Sequence, residues 1–312
     1  MHAVPDPETL AAIGRVLRDR HYAFVCPTPA TIDRVRARPQ GLQPGLRDIL
    51  GWNRPFTEDA LDAELFGLLR HGGLLAREGP RWRSRVRFST IGGLLVAHSA
   101  YPTDENDAVF LGPDTYRFAG FVQRALHGWQ PPQRPVRILD LGCGSGAGGL
   151  VAAAACGPGP VSLTLADINP RALAFSRANA ALAERPATVV HSDLFGALEG
   201  PFDLIVVNPP YLCDGQKRLY RHGGGANGLE LPIKMVEASF AQLRAGGLLL
   251  AYTGTPVIDG QDPFRAAVQH LADTCRTFSY EETDPDIFGE ELENPAYATA
   301  DRIAAIALTI ER

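Results

Sequence analysis

The sequence predicts an α/β protein, a mostly parallel sheet with helices on both faces, preceded by a smaller α+β segment. Three observations predict it. From about Pro113 onward, seven short apolar runs alternate with helical stretches, which is the pattern of repeated βαβ units. The first of those runs ends in a cluster of glycines, as a tight turn at a strand tip requires. Charge also divides along the chain: residues 1–100 carry 14 Arg and no Lys against 10 Asp or Glu, a balance of +4, which leaves -9 for the remainder of a chain whose net charge is -5. At 312 residues the chain suits two domains of roughly 100–200 residues each, and the boundary is expected between residues 105 and 106.

Asp6, Pro7 and Glu8 read as an N-cap, a first-turn proline and a first-turn acid, opening a helix to about Arg20. Thr28 and Pro29 repeat the signal for a short helix ending near Arg38. Thr57-Glu58-Asp59 opens a third, with Leu61, Leu65, Leu68 and Leu69 at helical spacing and Gly72 as its stop. The run from Arg81 to Phe88 alternates, placing Arg81, Arg83, Arg85 and Arg87 on one face of a strand and Trp82, Val86 and Phe88 on the other. Helices followed by such a stretch suggest a winged-helix-like module. Its arginine face is either an anion-binding wing or a solvated edge whose like charges discourage aggregation.

Beyond Pro113 a helix from Asp114 to about His127 leads through Pro131-Pro132 into the strand candidates. These are Val136–Leu141, Val161–Ala166, Thr188–His191, Leu204–Val207, Leu248–Tyr252, Thr277–Tyr280 and Ile303–Ile310, with Asn169-Pro170 opening a helix over 171–180. Hydrophobic content of 45% and charged content of 21% are those of a globular protein. No apolar run approaches the roughly 20 residues of a membrane span, and no signal pattern opens the chain, so a cytoplasmic protein is expected. Five scattered cysteines lack metal-type pairing, which favours free thiols, and no metal is expected.

Four segments carry chemistry. Ile138-Leu139-Asp140-Leu141-Gly142-Cys143-Gly144-Ser145-Gly146 is a buried strand running into glycines that let the backbone approach a ligand. Gly144, Gly146 and Gly149 also satisfy the dinucleotide fingerprint, so an NAD-dependent dehydrogenase is a rival at this point. Asp167 ends the next strand, where a carboxylate accepts from both ribose hydroxyls of an adenosine. Ser192-Asp193-Leu194-Phe195 follows the third strand and offers an acceptor for an adenine amino group with apolar walls, although a plain turn reads the same way. The last, Asp203-Leu204-Ile205-Val206-Val207-Asn208-Pro209-Pro210-Tyr211, ends a strand in two prolines that remove backbone donors and leave carbonyls facing the cleft. An NH2 group needs two acceptors, and the Asn208 side-chain oxygen with the Pro209 carbonyl supplies them, while Tyr211 offers a ring face to a planar group. A dehydrogenase has no use for this arrangement.

These segments resemble class I methyltransferases dependent on S-adenosylmethionine (SAM), in the HemK/PrmC group. The resemblance covers roughly residues 108–311 and extends to Gly224-Gly225-Ala226-Asn227-Gly228-Leu229-Glu230. It implies a Rossmann-like seven-stranded sheet with the last strand antiparallel, SAM as cofactor, and a planar nitrogen as methyl acceptor. It places Asp140, Gly142, Cys143, Gly144, Gly146, Asp167, Ile168, Ser192, Asp193, Leu194 and Asn208 at the cofactor, and Asn208, Pro209 and Tyr211 at the reaction. Substrate contacts are expected from Pro210, Tyr211, Arg221, Glu290 and Tyr116. Two departures stand out: Leu111-Gly112-Pro113-Asp114-Thr115-Tyr116-Arg117 replaces a proline- and arginine-rich motif, and the N-terminal part is not the group's helical bundle.

The resemblance implies a protein glutamine amide as substrate. A guanidino or amino-acid-like metabolite is the alternative, because Lys217, Arg218, Arg221 and His222 on one loop and Asp284, Asp286, Glu290, Glu291 and Glu293 on another suit a zwitterion if both face one cleft. Nucleic-acid bases rank third, since the second part of the chain is acidic. A winged-helix regulator that only senses SAM is the non-enzymatic rival.

Overall fold

The computed structural model describes residues 3–39 and 44–312. The chain opens with α1 (Pro7–Asp19), whose N-cap Asp6 accepts from Thr9 N, and α2 (Pro29–Arg36), capped by Thr28. The third expected helix begins later than Thr57. Residues Glu58–Ala60 make only a 3-10 turn without a side-chain cap, Leu61 is extended, and α3 (Ala63–His71) starts where Asp62 accepts from Leu65 N at 3.1 Å. A carboxylate in the capping position outcompetes the threonine five residues earlier.

Two hairpins follow, β1 (Leu75–Glu78) with β2 (Arg81–Ser84) and β3 (Val86–Ile91) with β4 (Leu94–Ser99). The arginine-faced strand expected over 81–88 is therefore not one strand. Ser84 Oγ accepts from Val86 N and donates to Val86 O, which tucks the chain in at Arg85, and the alternation does not carry through. Arg87 is 1% exposed, with its guanidinium donating to Ser99 O and Cys26 Sγ, while Arg83 pairs with Glu78. Neither a continuous basic wing nor a solvated arginine face exists among the described residues.

The sheet begins after α4 (Pro113–Leu126). Its elements are β5 (Val136–Leu141), α5 (Ala147–Ala155), β6 (Val161–Asp167), α6 (Pro170–Leu182), β7 (Ala187–His191), β8 (Phe202–Val207), α7 (Glu230–Ala241), β9 (Leu243–Val257), α8 (Pro263–Val268), β10 (Thr277–Asp284) and β11 (Arg302–Glu311). All seven expected strands form, in the order β10-β11-β9-β8-β5-β6-β7. β5, β6, β7, β8 and β9 pair in parallel, and β11 runs antiparallel to both its neighbours. This is the Rossmann-like class I sheet. Every residue of β8 is buried, as expected of a central strand covered on both faces.

The N-terminal elements lie directly on this sheet's helices. Gly14 of α1 sits so close to α6 that a Cβ there would come within 2.5 Å of Leu182 Cδ2. Asn179 of α6 is buried and ties β4 to the first glycine turn: it accepts from Ala97 N at 2.7 Å and donates to Ala97 O and to Ser145 O. One apolar core runs from α1 through β3 and β4 into α4, α5 and one face of the sheet. Among the described residues no helix is long and apolar enough to cross a membrane.

Candidate active site

Parallel pairing of β5, β6, β7 and β8 puts their carboxyl ends on one edge, and the turns after them open a single cavity of about 630 Å³. At the end of β5, Gly142, Gly144 and Gly146 take φ of +72°, +53° and +79°, a region that disfavours any Cβ. The turn is pinned by Gly142 N and Cys143 N donating to Ala166 O at 2.8 and 3.0 Å, and by Gly146 N donating to Cys143 O. A Cβ on Gly144 would meet nothing within 4 Å, so that backbone faces open space which a ligand can fill.

Asp167 accepts from Gly144 N and Asn169 N, both at 2.8 Å. Burial raises its carboxyl above the usual range despite those donors. Asn169 caps α6 by accepting from Arg171 N, so Asp167 is not needed for that. Ser192 uses its hydroxyl within its own turn, donating to Leu194 O at 2.8 Å and accepting from Ala197 N, and Leu194 sits at φ +47°. Asp193 and Ile168 are exposed at the rim.

Asn208, Pro209, Pro210 and Tyr211 form the wall facing the glycine turn. Tyr211 is buried, and its hydroxyl donates to Asp114 in a short hydrogen bond, while Tyr252 donates to the other Asp114 oxygen at 3.1 Å. Arg117 binds the same carboxylate at 3.1 Å and reaches Asp284 at 2.8 Å. Burial outweighs these partners and raises the Asp114 carboxyl, and burial together with Asp114 raises the Tyr211 phenol far above its ordinary value.

Behind Tyr211, Gly254 of β9 leaves room for the ring: a Cβ there would lie 2.5 Å from Tyr211 Cδ2 and Cε2. Gly254→Ala is therefore expected to displace Tyr211 and cost about 1–3 kcal/mol, measured as a lower thermal midpoint. An unchanged midpoint would mean that the ring position is not fixed by this contact.

The segment after Tyr211 folds back over the cavity. Leu212 N donates to Arg221 O, Leu219 N to Asn106 O at 2.9 Å, and the Tyr220 hydroxyl to Thr103 O at 2.8 Å. Tyr220 stacks on Phe110 with centroids 5.7 Å apart and planes at 13°. The charged loops do meet here, but they meet each other. Arg221 binds Glu291 and lies 3.7 Å from Asp214, and Arg218 binds Asp214. Of the charges expected to flank a zwitterion, Arg218, Arg221, Asp284 and Glu291 are paired within the protein, while Lys217 and His222 line the cavity. Glu290 remains exposed on the lining.

Of the expected site residues, all but two line the cavity. Gly146 is set back as the N-cap of α5, and Tyr116 points elsewhere, its hydroxyl accepting from Cys26 N at 2.9 Å. Sequence reasoning missed Asp114, Phe110, Tyr220 and Phe288, which line the cavity too. Asp114 reads locally as an ordinary first-turn acid after Pro113, and only the fold brings Tyr211 to it.

A Methyltransferase small domain model matches residues 130–254. A release factor glutamine methyltransferase of Deinococcus radiodurans is 36% identical over 166 residues, covering 50% of this chain and 55% of that protein. A ribosomal RNA small subunit methyltransferase C of Sodalis glossinidius is 35% identical over 112 residues, 36% of this chain and 29% of that one. The chain thus spans about half or less of the length of these curated relatives. A Thermus thermophilus 16S rRNA N2 methyltransferase, solved with AdoMet and guanosine, superposes with a TM-score of 0.48 at 20% identity, over 79% of this chain and 61% of that one. The matched segment contains β5 to β8 and the strand ends that open the cavity.

Proposed function

We propose that the protein is an N-methyltransferase that moves the methyl of SAM to a planar nitrogen held at Asn208-Pro209-Pro210-Tyr211, with residues 1–105 helping to recognise the substrate. The observation that carries this reading is the convergence of the glycine turn, Asp167, Ser192–Leu194 and Asn208–Tyr211 on one cavity. When bound, SAM supplies an electrophilic methyl on a cationic sulfonium. The chain's own groups do the rest. The Gly142–Ser145 backbone and the Asp167 carboxylate would hold the cofactor, with Leu194 as an apolar wall. The Asn208 side-chain oxygen and Pro209 carbonyl accept the two hydrogens of an NH2 group, which turns its lone-pair side toward the methyl. Positive charge growing on the nitrogen is stabilised by the same two acceptors, and the nitrogen then releases one proton to solvent. Fixing both reactants contributes up to about 7–11 kcal/mol for well-oriented groups.

Asp140 adds a pH dependence. It is 2% exposed, and burial pushes its carboxyl up to about 7, opposed by the Gly149 N–H at 2.7 Å and helped by the charge of Asp167. A cation beside it favours the ionised form, so binding of cationic SAM releases a proton when pH lies below that value. SAM affinity is expected to rise several-fold between pH about 6 and about 8 and level off above, by calorimetry. Asp140→Asn should flatten the profile, and a wild-type profile already flat would remove Asp140 from the cofactor site.

The substrate that the family resemblance favours is a protein glutamine amide, and the Deinococcus relative carries that activity in its name. A guanidino metabolite loses support because Arg221 and Glu291 neutralise each other. A base amine is the second reading, favoured by a second concavity lined by Arg36, Arg38, Arg54 and Arg83, of which Arg36 lies against the Tyr101 ring that lines the cavity. The test incubates the full chain and methyl-labelled SAM with fractionated host extract, with Asn208→Ala as control. Label lost in the control and found in protein supports the amide, and label in nucleic acid supports the base. No transfer to any fraction, with SAM bound, sinks the methyltransferase reading.

A further inference from the structure

A second concavity, of about 430 Å³, lies outside the cavity described above and is lined by Asp33, Arg36, Arg38, Arg54, Pro55 and Arg83. Four arginines from three separate parts of the chain line it: the end of α2 and the residues after it, the loop after the helical turn at Arg47–Gly51, and β2. The one lining carboxylate, Asp33, already accepts the Tyr101 hydroxyl at 2.7 Å. Arg54 is 7% exposed. Among the described residues, the Nε of Arg54 and the Nε of Arg83 are buried without a hydrogen-bond partner.

Helix capping accounts for part of this. Arg54 donates to Val35 O, in the last turn of α2, and to Arg38 O just beyond it, and basic residues suit a helix C-terminus. Asp48 lies 3.8 Å from Arg54 Nε, and Glu78 takes one Nη of Arg83. That accounts for Arg54. Arg36 is depressed first by burial and then by the charge of Arg83, with Asp33 and Glu78 offsetting part of this. Crowded guanidinium groups are costly without an anion, and their planar forks suit phosphate oxygens.

Position decides what the anion belongs to. Arg36 packs its guanidinium 5.4 Å from the Tyr101 ring centroid, and Tyr101 lines the catalytic cavity, so one aromatic ring separates the two spaces. Pro29, at the other end of α2, also lines that cavity, and the helical rise from Pro29 to Arg36 spans about 10 Å. The same mouth carries the stacked Phe110 and Tyr220. Aromatic faces beside a cationic pocket are what a single strand needs, because it presents planar bases and an anion at each nucleotide. A glutamine on a peptide has no anion at a fixed spacing.

We propose that the pocket of Arg36, Arg38, Arg54 and Arg83 is a phosphate-binding subsite that holds the backbone of a single-stranded nucleic acid whose base amine enters the catalytic cavity. This rests on the N-methyl-transfer reading of that cavity.

The test measures binding of a fluorescein-labelled single-stranded RNA of mixed sequence to the full chain by anisotropy, over a salt series. It compares Arg36→Gln, Arg38→Gln and Arg83→Gln with Arg276→Gln, whose arginine just precedes the edge strand β10 and pairs with Glu311. Arg54 is left intact because it closes α2. Each pocket variant is expected to weaken RNA binding by about tenfold near 0.15 M salt and to reduce the salt slope by about one phosphate contact, with inorganic phosphate competing in the wild type. Arg276→Gln and the SAM affinity should not change. RNA binding by wild type that none of the three pocket substitutions weakens overturns the subsite, and so does an absence of RNA binding. A glutamine-containing acidic peptide that binds through these arginines when RNA does not also overturns it, in favour of a protein substrate. SAM binding is read in every sample, so loss of the subsite is distinguishable from failure of the methyltransferase reading, which the labelled-methyl experiment tests separately.

Discussion

Asn208→Ala is expected to lower kcat for methyl transfer by about 10²–10³-fold while the protein still binds SAM, the scale seen when one preorganised group facing developing charge is removed. The reason lies in what surrounds Asn208. β8 is buried over its whole length, so its carboxyl end cannot shift, and Pro209 fixes the next φ. The side chain emerges at the cavity wall and makes no hydrogen bond to the described residues, so its oxygen is free for a substrate hydrogen. Alanine removes that acceptor and leaves the Pro209 carbonyl alone to hold an NH2 group that needs two. A nitrogen held by one acceptor rotates, and the loss falls on kcat more than on SAM binding. The measurement is single-turnover transfer alongside SAM titration. A variant with kcat within a few-fold of wild type would show that Asn208 does not hold the acceptor.

The strands, the glycine turn and the strand-end aspartates were legible in the sequence because each is a local signal. An apolar run ending in Gly142-Cys143-Gly144 fits little except a buried strand turning sharply at its tip, and parallel topology then forces all the carboxyl ends to one edge. What failed was reading a face from a period of two across a break. The alternation from Arg81 to Phe88 is real in sequence, but Ser84 ends one hairpin and Val86 begins another, so Arg87 goes inward to Ser99 O rather than outward with Arg81. The pairing between the charged loops was hidden for a different reason. Composition shows which charges are near the cleft but not which of them pair, and Arg221 and Glu291, 70 positions apart, find each other. The arginines of the second pocket were equally hidden, since Arg36, Arg54 and Arg83 are brought together only by the packing of α2 against the loop before α3 and against β2.

Asp114 is the cavity-lining residue that no local pattern marks, and it should be among the most costly to remove. Asp114→Ala is expected to destabilise the fold by about 3–5 kcal/mol, the usual cost of deleting one member of a buried, hydrogen-bonded charge group. Its carboxylate is 6% exposed and accepts from Tyr211 and Tyr252 while pairing with Arg117. Alanine leaves two buried hydroxyls without their acceptor, and Arg117 keeps only the more exposed Asp284. Tyr211→Phe removes one donor and leaves the carboxylate its other partners, so it should cost about 1 kcal/mol. The two changes are coupled through one hydrogen bond. In the Asp114→Ala background, Tyr211→Phe should be neutral or stabilising, because the hydroxyl it deletes no longer has a partner. Denaturant unfolding of the four proteins in that cycle measures the coupling. Activity separates holding the ring from merely stabilising the fold: Asp114→Asn, which keeps the volume, should lower kcat at temperatures where the variant is fully folded, since Tyr211 loses its charged anchor beside Asn208. Additive effects across the cycle, with normal kcat in Asp114→Asn, would mean that Tyr211 is positioned by Gly254 and Phe288 packing alone.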